Sequence, residues 1–281
     1  MSFEKRKFVS EIFNSRQVKF LVGPEAVEYN VHEYSMTRLS GPLRAMLTSG
    51  MRESLEAKVI WDDVEPCTFT GLIQYVYNGT YSAPPLYGGT SNTTLTEKSS
   101  KVLYADDGEE SPEPSIISWM ETIDRSTSAK YCFCRQHFND NKSAPKPGSK
   151  RAKPAGWLAK MKDPSRSGHS AVFMLHAKLY TLADRYMFED LKSLCLDKVR
   201  LSLLHVPVKM EVIEAVFEML QFCDKNDLPR EGLWRLLVRF CVVHVGWMKR
   251  EGYLGRFATE IRGFAASLLE EIPQEFFDSL I

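Results

Sequence analysis

The residue types best suited to chemistry sit in the middle of the chain. Cys132-Phe133-Cys134-Arg135-Gln136-His137 places three soft or borderline ligands within six residues, and zinc takes tetrahedral sets of Cys and His. The fourth ligand would have to come from His169 or His176. The spacing is not that of a paired-cysteine knuckle. Two cysteines flanking a phenylalanine equally suit a short half-buried strand. The ligand count weighs against a metal, and no cofactor is expected.

A second constellation is electrostatic. From Lys142 to Arg166 there are eight basic residues and a single acid, Asp163. Within it Lys150, Arg151 and Lys153 stand among Pro145, Pro147 and Pro154. That makes a nuclear-import address or a phosphate contact. The bland alternative is a solvated loop whose charge offsets Asp106, Asp107, Glu109, Glu110 and Glu113. Trp157 stands alone, so no aromatic platform is interleaved to stack single-stranded bases. A nucleic-acid-associated or transcriptional regulator acting through 142–166 is therefore the second reading. The same region holds an apolar cluster, Ile116, Ile117, Trp119 and Met120, free to dock on the core or on a partner.

Catalytic signatures are missing from the sequence. There is no GxSxG elbow, no GxxxxGK phosphate loop, no GxGxxG and no HExxH. Glu270-Glu271 and Asp62-Asp63 are adjacent pairs, which do not face each other on a helix. The expectation is a protein that is not an enzyme.

Composition sets the frame around these residues. In 281 residues, Lys plus Arg and Asp plus Glu balance at 36 each, so no global field draws nucleic acid or an anionic membrane. A 44% hydrophobic content supports a proper core. Cys67, Cys195, Cys223 and Cys241 stand singly inside apolar periodic segments, where a free cysteine acts as a small hydrophobe. With no disulfide-type spacing, a reducing compartment is expected, nucleus or cytoplasm undecided. The first residues lack the apolar region of a signal peptide. The longest apolar stretch, Leu236–Met248, is too short to span a bilayer and contains Arg239 and His244.

Three regions differ in pattern. Up to about residue 81, Val18, Phe20 and Val22, then Val27, Tyr29 and Val31, alternate around Gly23-Pro24, which reads as a hairpin. Short helices follow near Glu33–Leu39 and Pro42–Thr48, with a break at Gly41-Pro42. Lys58–Trp61 reads as a strand. Phe69, Leu72, Ile73, Val76 and Tyr77 form one helical stripe that starts at Pro66 and stops at Asn78-Gly79. Residues 82–169 are rich in Ser, Thr, Gly, Pro and charge, and are expected to be a disordered insertion. Beyond it, Val172, Leu175, Leu179, Leu182, Ala183 and Tyr186 resume a helical stripe, continued by Leu191, Leu194, Cys195 and Val199. Val212–Cys223, a helix opened by Pro229, and a closing helix within Ile261–Phe277 capped near Pro273 complete an all-helical end. This is an α+β pattern.

The order of elements and their residues resembles the BTB/POZ fold. The likeness is carried by Val31-His32, Leu39-Ser40, Pro42-Leu43-Arg44-Ala45-Met46 and Ser49-Gly50-Met51-Arg52-Glu53-Ser54. It continues through Asp62-Asp63-Val64, Glu65-Pro66 with Phe69, and Tyr75-Val76-Tyr77-Asn78-Gly79 with Tyr81. It resumes at Tyr180-Thr181-Leu182-Ala183-Asp184-Arg185-Tyr186. Leu236-Leu237-Val238 and Val243-His244-Val245-Gly246-Trp247 resemble the helical tails of fungal members. The resemblance implies a small β-sheet flanked by helices, as a core over 1–81 and 170–200. A long low-order insertion over 82–169 interrupts it, and a helical extension over 201–281 follows.

The resemblance also implies a function by shape: a protein–protein interaction module, intracellular and self-associating as a homodimer. It further implies a substrate adaptor that docks a cullin scaffold of a ubiquitin ligase through Met51 and Glu53, in the loop after the second helix. Methionine is an adaptable apolar knob, and a carboxylate beside it can accept a charge-assisted bond. The competing reading is that Met51 packs on its own domain. Gln17 departs from the aspartate usual before the first strand, which puts one dimer contact in doubt. The N-terminal apolar residues Phe3, Val9, Ile12 and Phe13 are the other candidates for a two-fold interface. His32 is read as a satisfied core or helix-start histidine.

Overall fold

The computed structural model describes residues 10–88, 113–123, 128–138 and 160–278. These form a mixed α+β protein divided into two compact units. The first unit comprises the chain up to Pro84 together with Met174–Asp197, and the second comprises the remainder.

The first unit is organised by strand β1 (Gln17–Val22), whose alternation points Val18, Phe20 and Val22 into the core. A turn with Gly23 and Ala26 at positive φ leads into β2 (Val27–His32). The two pair antiparallel, Val18 opposite Val31 and Phe20 opposite Tyr29. A parallel partner cannot be reached by a tight turn, and the crossover here is made of three short helices, α1 (Glu33–Thr37), α2 (Gly41–Thr48) and α3 (Arg52–Glu56). It delivers β3 (Lys58–Trp61) alongside β1, giving the order β2-β1-β3. His32 is the N-terminal flank of α1, its Nδ1 2.9 Å from the Tyr77 hydroxyl, as a satisfied helix-start histidine should be. Ser40 caps α2 by accepting from the Leu43 amide at 3.1 Å.

Helix α4 (Pro66–Asn78) begins at proline and ends at Gly79, which sits in the left-handed region at φ 73°. Its burial corrects the single-stripe expectation. Phe69, Leu72 and Val76 are buried, but Ile73 and Tyr77 only half so, while Thr68, Gly71 and Tyr75 are buried as well. The helix has neighbours on two sides. Its aromatic side joins the sheet, with Phe69 5.2 Å from Phe20 and 5.6 Å from Trp61 between ring centroids. At Gly71 a methyl group would lie 2.9 Å from the Leu179 Cδ1.

The chain then forms β4 (Tyr87–Gly88), α5 (Ile116–Thr122), α6 (Ala129–His137) and β5 (Arg166–Ser167), with β4 and β5 pairing antiparallel. The expectation of a wholly disordered 82–169 is thereby corrected. Ile116, Met120, Phe133, Cys134 and Phe138 bury apolar surface there, and Ser115 and Ser128 cap the two helices. Those short helices were hidden in a segment whose overall composition is polar.

Helices α7 (His169–Arg185) and α8 (Glu189–His205) follow. The expected α7 stripe is buried from Val172 to Ala183, and Tyr186 stacks on Trp61 at 4.6 Å. Within the first unit the buried Tyr81 hydroxyl lies 2.8 Å from His176 Nδ1 and 3.3 Å from Cys195 Sγ, tying α7 to α8.

The helical end belongs to the second unit. Helix α9 (Met210–Lys225) buries Val212, Ile213, Val216, Phe217, Leu220 and Cys223 as its periodicity requires. Helix α10 (Leu233–Val243) starts four residues beyond Pro229, later than expected, and buries all but Arg235 and Arg239. Both arginines pair with one carboxylate, Glu271, at 2.9 and 2.7 Å. The Trp234 indole N–H donates to Ser267 Oγ at 3.1 Å, and the Arg230 guanidinium lies 3.7 Å over its ring. After α11 (Val245–Arg250) and α12 (Tyr253–Glu260), the closing helix expected to be capped near Pro273 does end there, and a further short helix follows. They are α13 (Phe264–Glu271) and α14 (Gln274–Asp278), broken at Pro273.

Candidate partner-docking site

Met51 and Glu53 do not sit in an open loop, as the sequence suggested, but on α3. Met51 is the N-terminal flank of that helix and Glu53 lies in its first turn. Gly50, at φ 77°, lets the chain leave α2 and re-enter a helix at once. Ala57, left-handed at φ 49°, closes α3 and turns the chain into β3.

The Met51 side chain is 52% exposed and does not pack away into its own unit. One turn on, Leu55 is 78% exposed. Residues four apart lie on one helix face, so the two apolar side chains share a side. Glu53, two residues from each, is half-buried and points about 200° away from both, and its carboxylate has no ion pair or hydrogen bond among the described residues. Its neighbours are self-contained, because Arg52 pairs with Glu56 at 2.9 Å along the helix. On β3, Ile60 adds a further exposed apolar side chain. The arrangement presents exposed apolar knobs and, on the other side of the turn, one free acceptor.

One side chain fixes the site. Arg16, just before β1, donates from Nη1 to the Ser54 carbonyl at 2.7 Å and from Nη2 to the Leu47 carbonyl at 2.8 Å. Its Nε pairs with Glu33 at the start of α1. A guanidinium forks in fixed directions, so it satisfies the terminal carbonyls of α2 and α3 together, where a cation also suits the helix dipole. Sequence reading missed both Arg16 and Leu55. Leu55 was legible in principle, as the partner of Met51 at i+4. Arg16 was not, because its acceptors are backbone atoms distant in sequence.

The other singled-out residues are not assembled. Cys132 is exposed and Cys134 buried on α6, since residues two apart on a helix point about 200° apart. The alternative of a short strand is corrected to a helix. Burial pushes the Cys134 thiol up to about 12. His137 packs on Phe133 at 4.6 Å, and burial pushes its ring down to about 4. His169 Nδ1 faces Glu211 at 3.1 Å, and His176 Nδ1 faces the Tyr81 hydroxyl. Among the described residues no group of three or more His, Cys, Asp or Glu could hold a metal ion. Lys150, Arg151 and Lys153 lie outside the described residues, as do Phe3 and Val9. Ile12 is buried, while Phe13 is 69% exposed with its ring 5.3 Å from His32. No helix among the described residues is long and apolar enough to cross a membrane. Neither a protein-family model nor a curated protein matches the chain.

Proposed function

We propose that the chain is a protein-interaction module of the BTB/POZ type that docks a cullin scaffold of a ubiquitin ligase through Met51, Glu53 and Leu55. The observation that supports this reading is one short helix that presents two exposed apolar side chains, Met51 and Leu55, on one side, with the unpartnered Glu53 carboxylate elsewhere on the same turn. Isolated exposed hydrophobes are ordinary, whereas two exposed apolar side chains one turn apart on the same helix side make a candidate contact surface. Met51 adapts to a shallow groove, Leu55 fills a fixed one, and Glu53 offers a directional acceptor to a cationic or N–H donor on the partner. Since Arg16 anchors the backbone on both sides of the patch, little order remains to be lost on binding.

The test is capture of a purified cullin by the wild-type chain, Met51→Ala/Glu53→Ala and Leu55→Ala. Central interface side chains cost more than about 1–2 kcal/mol each when truncated, so capture should weaken by about tenfold or more. Equal capture by all three removes the cullin reading.

A further inference from the structure

A cleft of about 190 Å³ opens in the second unit, away from the residues discussed so far. It is lined by Glu113, Ile116, Trp119, Lys130, Val243 and His244, with Pro114 at its edge. Three elements build it. Helix α5 supplies Ile116 and Trp119, α6 supplies Lys130, and the junction of α10 and α11 supplies Val243 and His244. Glu113 is fixed in place by a pair of backbone hydrogen bonds with Val208, both 3.0 Å.

The polar groups of this cleft are unevenly satisfied. The Glu113 carboxylate has a cation of its own, Arg250 at 3.3 Å. Lys130 has none. Its ammonium sits 4.9 Å from the centroid of the Trp119 ring, and no carboxylate among the described residues lies within ion-pair distance of it. It is half-buried, and that burial lowers its pKa from the ordinary lysine value. Glu113 acts on it only at longer range, and a partly desolvated ammonium without a contact ion pair gains more from an incoming anion than an exposed one does.

His244 is the buried polar group of the wall, and it faces Glu113. Its side chain is only 4% exposed, and neither ring nitrogen has a hydrogen-bond partner. Glu113 is its nearest acid, at 3.6 Å, beyond hydrogen-bond reach. Burial lowers the pKa of the His244 ring and Glu113 opposes that lowering, so His244 is tied to that carboxylate and Lys130 is the group of the wall that has no contact ion pair among the described residues. The rest of the wall is apolar or aromatic. A dry cavity of about 150 Å³ accepts benzene, so this one has room for a single ring with a small polar group.

We propose that this cleft binds a small organic monocarboxylate with a flat apolar body, the carboxylate on Lys130 and the body against Trp119, Ile116 and Val243. A dianion is disfavoured because Glu113 stands in the same wall. A cation is disfavoured by Lys130 and by the prior pairing of Glu113 with Arg250.

The experiment is a titration of the full chain with 4-ethylbenzoate and with 4-ethylbenzamide, read on the Trp119 indole N–H resonance, assigned through Trp119→Phe. The acid is expected to give a saturable shift, with the isosteric amide about tenfold weaker. Lys130→Met should weaken the acid by about tenfold and leave the amide unchanged. Its fold is checked by the other indole resonances. Absence of a saturable shift with the acid up to about 10 mM overturns the proposal. So does equal affinity of acid and amide on the wild-type chain, whatever the variant does.

Discussion

Arg16 makes the sharpest test of how the docking helix is held. Replacing it by methionine keeps most of the apolar stem and removes the guanidinium. That deletes the bonds to the Leu47 and Ser54 carbonyls and the pairing with Glu33. Hydrogen bonds from charged donors are worth about 1.5–3 kcal/mol each when sheltered. Here the arginine side chain is 43% exposed, so water competes and the smaller end of the neutral range, about 0.5–1 kcal/mol per bond, applies. With the ion pair included, the expected loss is roughly 1.5–3 kcal/mol. In a protein of this size that lowers the melting temperature by about 3–5 °C.

The loss should also be local. Hydrogen exchange is expected to quicken at the amides of Ser49, Leu55 and Ala57, which close the last turn of α2 and the single turn of α3. Arg16→Lys should recover less than half of the stability, because an ammonium cannot reach three acceptors in a fixed fork. Thermal unfolding by far-UV circular dichroism and exchange by mass spectrometry read both effects. A melting temperature unchanged within about 1 °C, with unchanged exchange at those three amides, would falsify the anchoring role.

Two further perturbations follow from the packing. Gly71→Ala should destabilise although alanine favours a helix by up to about 1 kcal/mol. The new methyl would stand 2.9 Å from the buried Leu179 Cδ1, and overpacking costs about 1–3 kcal/mol. In a Leu179→Ala background the same change should become neutral or stabilising; chemical denaturation of the four chains decides, and additivity would discard the close approach. The pH dependence is set by burial of histidines. Burial pushes His137 down to about 4 and holds His205 and His244 below the ordinary value. The unfolded chain therefore takes up these protons first as pH falls. Their contribution is complete above about pH 6.5 and is lost as pH drops toward about 4. Despite its burial, Glu211 is held down to about 2 by His169 and Lys209, so its share is lost only in stronger acid. The melting temperature should decline between about pH 7 and 4.5; a flat profile there contradicts neutral buried rings.

The sequence by itself determined the elements whose pattern is local. The alternation of Val18, Phe20 and Val22 specified a strand with one buried face, and Pro66 and Gly79 bounded α4 at both ends. The long apolar periods of α7 and α9 marked buried helix faces for the same reason, since a 3.6-residue repeat has only one way to bury itself. Tertiary structure decided what depends on distant neighbours. Gly71 and Tyr75 are buried because α4 has partners on two sides, which no single-helix period can express. Cys132 and Cys134 were separated, as potential ligands, by the helix that forms around them. Met51 and Glu53 were visible as residue types, but the pairing of Met51 with Leu55 on one side of a turn required α3. That helix has five residues, too short to stand on propensity, and it is held by Arg16 through carbonyl groups that carry no sequence signature.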